Sequence, residues 1–180
     1  MRKFIRVALC LSVVVAACGL VWAAPEKRAS PHEQTTATVG GKKITIEYGR
    51  PYKKGRDVYG NLVPWGAVWR LGADEATTIT TEANLTIGTV KVPKGKYSLF
   101  MLPTAKVKEW PLIINKESDQ WGSFKYSQKQ DLGRTMLKVE TSPASVEQFT
   151  IAIEPQADGK TALLKISWDT TVASVPVTVQ

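Results

Sequence analysis

The stretch from Tyr48 to Thr78, YGRPYKKGRDVYGNLVPWGAVWRLGADEATT, gathers the residue types of this chain best suited to chemistry. Arg50, Arg56 and Arg70 carry planar, forked donors that match a carboxylate or a phosphate. Trp65 and Trp69 offer flat faces on which a guanidinium or a ligand ring can pack. Asp57, Asp74 and Glu75 supply carboxylates close by in sequence. Two arrangements satisfy this set. In one, the arginines pair with the acids and stack on Tyr48, Tyr59, Trp65 or Trp69, pinning a long connection to the rest of the fold. In the other, at least one guanidinium faces a cleft and receives an anionic or hydroxylated ligand. Trp121, beside Gly122, belongs to a second aromatic group that could widen such a cleft. The binding candidates are therefore Arg50, Arg56, Trp65, Trp69, Arg70, Glu75 and Trp121. An enzyme would draw on Glu75 or Asp74 as general base or acid, with Arg70 stabilising developing negative charge in a hydrolase- or isomerase-type reaction.

Other chemistries find less material. His32 is the one histidine, and the cysteines are Cys10 and Cys18, so no zinc, copper or iron–sulfur site of the usual composition assembles from this sequence, and no metal or cofactor is expected. His32 reads either as a pH-sensitive contact beside Glu33 or as a polar residue at the margin of the domain. A Gly-x-Ser-x-Gly elbow, an Asp-rich calcium loop and a phosphate-cradling glycine loop before a helix are all missing from the sequence. Asn84-Leu85-Thr86 matches a glycosylation sequon by accident in a chain whose leader looks bacterial.

The elements that must position these residues are strands. Thr45 to Tyr48 follows a Gly40-Gly41 turn, Thr77 to Thr81 is β-branched throughout, and Val90 to Val92 meets Pro93-Lys94-Gly95 before Tyr97 to Leu102. That last pattern predicts a hairpin whose two arms pair with each other. Trp110 to Asn115 is a compact apolar run, with Trp110 in the core and Asn115 at its end. Phe149, Ile151 and Ile153 alternate with Thr150, Ala152 and Glu154, and Asp158-Gly159 turns that strand back into Ala162 to Trp168. Val172 to Val179 reads as a closing strand, and Pro176 places it at an edge or makes a bulge there. No window shows a helical period; Ser127 to Leu132 could hold one turn. The pattern predicts an all-β, antiparallel β-sandwich of jelly-roll type with one long, ordered, arginine- and aromatic-rich connection. Gly49, Gly55, Gly60, Gly66 and Gly72 punctuate that connection, as tight turns or close backbone approach require.

The N-terminus reads as an address. Arg2, Lys3 and Arg6 precede an apolar run from Val7 to Ala17, and small residues stand at Ala23 and Ala24, a signal-peptide pattern over residues 1–23. Residues 24–31 read as a short flexible lead and residues 32–180 as a single domain. Val15-Ala16-Ala17-Cys18 alternatively resembles a lipoprotein box, which would lipidate Cys18 and tether the protein to a membrane. Both routes lead to the periplasm or the extracellular space. Removing Arg2, Lys3 and Arg6 from the 24 basic residues leaves 21 against 16 acidic ones, a net charge of +5. The lysines are scattered, without a stripe interleaved with stacking aromatics, so nucleic acid is not the expected partner. About 155 residues remain after cleavage, enough for one sizeable core without disulfides.

The order Ser-Pro-His-Glu (30 to 33), Tyr-Gly-Arg-Pro (48 to 51), Gly-Arg (55, 56), Leu-Val-Pro-Trp-Gly (62 to 66), Trp-Arg (69, 70), Gly-Ala-Asp-Glu-Ala-Thr-Thr (72 to 78), Pro-x-Gly-x-Tyr-Ser-Leu-Phe (93 to 100), Ile-Ile-Asn-Lys (113 to 116) and Trp-Gly (121, 122) resembles the bacterial exported family catalogued as domain of unknown function 2911. The resemblance spans nearly all of the chain after the leader and brings no accepted activity with it. Members commonly show Gly-Ala-Asn-Glu where this chain has Asp74, so a ligand contact needing an amide donor there would be lost. Three roles follow: non-catalytic binding of a small polar or anionic ligand such as a sugar or cell-envelope fragment, the enzyme outlined above, or an assembly module whose edge strand Val172 to Val179 pairs with a protein partner.

Overall fold

Gly40 and Gly41 both take a left-handed backbone (φ +58° and +71°), which lets the chain reverse in two residues so that β1 (His32–Val39) pairs antiparallel with β2 (Lys42–Gly49). The computed structural model describes residues 28–180. The expected leader over residues 1–23, with Cys18, lies outside the described residues, as do residues 24–27 of the expected lead. Seven further strands follow: β3 (Thr78–Thr81), β4 (Leu85–Ile87), β5 (Val90–Val92), β6 (Gly95–Met101), β7 (Glu109–Asn115), β8 (Asp131–Pro155) and β9 (Thr161–Val179). A single 3₁₀ turn at Gln128–Gln130 occupies the place where one turn is expected. The strands form one nine-stranded antiparallel sheet in the order β1-β2-β3-β6-β7-β8-β9-β4-β5. Among the described residues, no helix is long and apolar enough to cross a membrane.

The sheet closes on its core through the long β8–β9 hairpin. Asp158 Oδ1 accepts from the backbone N–H groups of Lys160 (3.0 Å) and Thr161 (2.8 Å), and Gly159 takes φ +69°, so the expected turn is present. Alternate side chains of the outer hairpin face inward: Phe149, Ile151, Ile153, Leu164, Ile166 and Trp168 are buried in the same cluster as Ile44, Ile46 and Tyr48 of β2. The Tyr48 hydroxyl accepts from the Ile151 N–H (3.1 Å) and donates to the Ile151 carbonyl (3.3 Å), so a buried phenol is satisfied while it joins β2 to β8. Ladder irregularities between Thr141 and Thr150 divide the hairpin into the half that pairs within the sheet and the half that folds over β1 and β2.

Two expectations are corrected. Val90–Val92 and Gly95–Met101 do not pair with each other. β5 pairs with β4, while β6 runs between β3 and β7, so Pro93-Lys94 carries the chain from one end of the sheet to its middle. Local turn chemistry favoured a hairpin, and the long-range ladders of β6 with β3 and β7 and of β5 with β4 prevailed over it. Val172 to Val179 is likewise not an edge. It continues β9 without interruption from Thr161, pairs with β8 through Ser174, and is covered on its other side by β4, Leu85 opposite Val179 and Ile87 opposite Val177. Pro176 is accommodated because the β4 ladder ends at Ile87, one residue before the donor it lacks would be required; its carbonyl still accepts from Gly88 N–H (2.8 Å). β1, β4 and the first half of β8 are strands that the sequence pattern left unassigned.

Gly49 ends β2 where the backbone of Ala73 crosses it. A Cβ at Gly49 would stand 2.2 Å from the Ala73 carbonyl oxygen, and one at Gly72 would stand 2.9 Å from the Gly49 oxygen. The two glycines thus let the arginine-rich connection lie flat on the sheet end. Gly49→Ala is expected to cost about 3 kcal/mol or more, since the clash is with backbone that cannot rotate away, and to lower Tm by roughly 6 to 12 °C in a domain of this size. Thermal unfolding followed by circular dichroism checks this; an unchanged Tm would mean that the close approach is not present in solution.

Candidate functional site

The connection between β2 and β3 is pinned by its first two arginines. Arg50 Nε donates to the Phe149 carbonyl (3.0 Å), Nη2 donates to Thr150 Oγ1 (2.8 Å), and Nη1 pairs with Glu33. Arg50 N–H itself donates to the Pro31 carbonyl (2.7 Å), so the end of the lead is tied to the sheet as well. Arg56 closes its own loop, donating from Nε to the Lys53 carbonyl (2.9 Å) and from Nη2 to the Tyr52 carbonyl (2.7 Å). Lys53 pairs with Asp169, which also accepts from Ser145 Oγ (2.9 Å). The acids named in sequence as partners, Asp57, Asp74 and Glu75, are not the ones that hold Arg50 and Arg56. Both arginines do pin the connection, but through backbone carbonyls, Thr150 and Glu33.

The hydrogen bond from Lys53 keeps the Asp169 carboxyl below its ordinary pKa of 3.8, with Ser145 adding to the effect. A carboxylate whose folded pKa is depressed stabilises the fold above its unfolded pKa and loses that contribution as pH falls through the lower folded value. Asp169→Asn is therefore expected to flatten part of the acid limb of the stability profile between about pH 5 and pH 2. Urea unfolding across that range checks it: parallel profiles for parent and variant would deny the linkage.

Arg70 is placed differently. Trp69 exchanges both backbone hydrogen bonds with Met101 at the end of β6 (2.8 and 2.9 Å), which fixes the backbone immediately before Arg70. Leu71 follows with a left-handed backbone, φ +56°, held by Thr77 Oγ1 donating to its carbonyl (2.6 Å). A branched apolar residue adopts that conformation at a cost of about 1 to 2 kcal/mol, so the turn after Arg70 is enforced by its surroundings. Asp74 is also left-handed, φ +62°, a conformation that Asp and Asn both tolerate. The backbone thus explains why either residue fits position 74 irrespective of any ligand. Arg70 is half-buried and its Nε is buried without a hydrogen-bond partner. Burial pulls its pKa below the ordinary value, while Asp74 acts in the opposite sense.

The hollow beside Arg70 has a volume of about 400 Å³, and its lining includes the cationic Lys54, Arg56 and Arg70 and the aromatic Tyr52, Trp69 and Trp168. Asp74 also reaches it. Trp69 forms the buried floor, stacked on Trp168 at 5.9 Å and edge-on to Phe149 at 5.1 Å. Trp65 does not line this hollow: 43 % exposed, it stacks on Tyr59 at 6.0 Å and meets Trp110 edge-on. Trp121 stands apart too, 59 % exposed, with its backbone bridged to Glu75 and no ring contact to the first aromatic group among the described residues. Of the seven binding candidates, the structure brings Arg56, Trp69 and Arg70 together at one hollow and leaves Arg50, Trp65, Glu75 and Trp121 outside it.

This chain matches the model of the family described as protein of unknown function (DUF2911) over residues 30–177. The chain belongs to that family. No curated protein and no solved structure matches the chain. The matched span of this DUF2911 member holds every residue of the hollow except Ala29, which lies just outside it.

Glu75 and Asp74 meet on the far side of the same turn, around His32. His32 Nε2 lies 3.1 Å from Glu75 Oε2 and 3.3 Å from Asp74 Oδ2, and Arg28 Nη1 donates to both His32 Nε2 (2.6 Å) and Glu75 Oε2 (2.7 Å). The hydrogen bond from Arg28 holds the Glu75 carboxyl below its ordinary pKa. The histidine, read in sequence beside Glu33, thus belongs with residues more than forty positions away. The signal that could have found it is its place in Ser-Pro-His-Glu, the first of the ordered motifs. These three residues are also the one group among the described residues whose ligating atoms converge as a metal would require.

Proposed function

We propose that this protein is an exported, non-catalytic domain that binds a small anionic ligand, such as an acidic sugar or another envelope fragment, in the hollow beneath Arg70. The observation that carries the proposal is the buried, unpartnered Nε of Arg70 in a hollow bordered by two more cationic side chains and an aromatic floor. A desolvated guanidinium without a partner is costly, and an incoming carboxylate or phosphate would supply the bidentate contact that the protein withholds. Its volume lies within the range of small-molecule sites. The leader over residues 1–23 supports an envelope or extracellular setting.

The contrast with Arg50 supports the same proposal, because the fold saturates one guanidinium with internal acceptors and leaves the other open. An enzyme built on Glu75 and Asp74 gains less support: a general acid at neutral pH needs a raised pKa, and that of Glu75 is lowered by Arg28. The test is a thermal-shift screen of the protein against phosphate, sulfate, citrate, glucuronate and their neutral analogues glycerol and glucose. A rise in Tm with one class of anion and none with the neutral analogues is expected. Equal responses to charged and neutral compounds would contradict the proposal.

A further inference from the structure

The convergence of His32, Asp74 and Glu75 has the dimensions of a metal site. A divalent ion bound at about 2.1 Å by imidazole and carboxylate ligands sets neighbouring ligand atoms about 3.0 to 3.4 Å apart, the edges of an octahedron and a tetrahedron respectively. His32 Nε2 lies 3.1 Å from Glu75 Oε2 and 3.3 Å from Asp74 Oδ2, and all three ligand atoms fall within 4.8 Å of one another. With Nε2 accepting from Arg28, the imidazole has no proton there to offer either carboxylate, so a positive charge has to hold these three acceptors together. That charge is the Nη1 of Arg28, placed 2.6 Å from His32 Nε2 and 2.7 Å from Glu75 Oε2.

Arg28 is a weak tenant. It lies outside every strand, just before β1, and its side chain is 48 % exposed. The three acceptors, by contrast, are set by the sheet. His32 opens β1 opposite Gly49, and the backbone of Asp74 to Ala76 is bonded to that of Gln120 to Gly122, with Ala76 N–H on the Gln120 carbonyl (2.9 Å) and Gly122 N–H on the Asp74 carbonyl (3.0 Å). Gln120 supplies an independent observation at the same place. It is 5 % exposed and lines the hollow that also contains His32 and Glu75; its Nε2 is held by Asn115 Oδ1 (3.3 Å) and the Glu117 carbonyl (2.8 Å), which leaves Oε1 buried and unpartnered. A buried amide oxygen without a donor is what a metal-bound water would satisfy.

We propose that His32 Nε2, Asp74 Oδ2 and Glu75 Oε2 form a divalent-cation site, suited to Zn²⁺ or Mn²⁺, from which Arg28 is displaced when the ion binds. One imidazole and two carboxylates suit these ions, and the two negative charges match a divalent cation better than one guanidinium. The exposed side of the cluster leaves positions open for water. Binding the ion removes the ion pair of Arg28, so the site and the N-terminal lead are coupled.

The test is isothermal titration of the chelator-stripped protein with Zn²⁺ and Mn²⁺, with circular dichroism to confirm folding of each variant. One equivalent is expected to bind at micromolar or tighter affinity. His32→Ala and Glu75→Gln should each weaken it by more than tenfold, and Arg28→Ala should tighten it severalfold by removing the competing cation. Glu140→Gln, which removes a carboxylate paired with Lys138 on β8 outside this hollow, should leave affinity unchanged. The absence of saturable binding, binding that survives His32→Ala, or a Kd that does not tighten in Arg28→Ala would overturn the proposal. The anion site is tested separately: Arg70→Ala still binds one equivalent of metal with no loss of affinity, since it removes only a positive charge near Asp74, and His32→Ala keeps the anion-dependent rise in Tm.

Discussion

Arg50→Ala is expected to lower the unfolding free energy by about 2 to 4 kcal/mol, a drop in Tm of roughly 5 to 15 °C. The side chain is four-fifths buried and donates to three acceptors on two elements: the Phe149 carbonyl and Thr150 Oγ1 on β8, and Glu33 on β1. Removing it leaves the Phe149 carbonyl without that donor at the point where the outer half of the β8–β9 hairpin closes over the sheet. Arg50→Lys should recover little of the loss, because a single ammonium cannot reach acceptors arranged for a fork. Reversible urea unfolding of the three proteins, analysed with a common slope, checks this. A loss below about 0.5 kcal/mol would show that Arg50 is a surface group and not a fastening.

Arg70→Ala is expected to behave in the opposite way. Its guanidinium gives up hydration at Nε and recovers no hydrogen bond there, so truncation should change stability by less than about 1 kcal/mol and could raise it. Ligand binding should suffer instead. Charge-assisted hydrogen bonds of about 1.5 to 3 kcal/mol correspond to a loss of affinity between about tenfold and a hundredfold. Arg70→Lys should retain part of the affinity through charge alone, while losing preference for planar carboxylates over sulfate. Titration calorimetry with the best anion from the thermal screen separates the outcomes. A variant that unfolds at much lower temperature but binds as the parent does would reverse the assignments of Arg50 and Arg70.

These opposed outcomes also mark how far the sequence could be read. The strand-rich pattern identified the fold class because alternation at Phe149, Ile151 and Ile153 and the turns at Gly40-Gly41 and Asp158-Gly159 are local signals. Strand partnership is not local. Pro93-Lys94-Gly95 has the chemistry of a reversal, yet β5 and β6 belong to distant parts of the sheet, and Pro176 suggested an edge that β4 covers. In the candidate site, the residue types were legible and their division of labour was not. Nothing in the spacing of Arg50, Arg56 and Arg70 shows that Phe149, Thr150 and Glu33 saturate the first while the last keeps a free Nε. His32 was legible only as a lone histidine, because its neighbours Asp74 and Glu75 reach it through a turn made possible by Gly49, Gly72 and two left-handed residues.

The most direct measurement is the ¹⁵N–¹H spectrum of the arginine side chains during titration with the anion selected by the thermal screen. Residues 24–180 hold five arginines, so the Arg70 Nε–Hε signal can be assigned by its loss in Arg70→Lys. This signal is expected to move saturably as anion is added, at the affinity found by calorimetry, while the Arg50 signal, whose Nε already donates to the Phe149 carbonyl, stays in place. An Arg70 signal that stays fixed at saturating anion, or one that moves only in step with the exposed arginines, would contradict anion binding at Arg70.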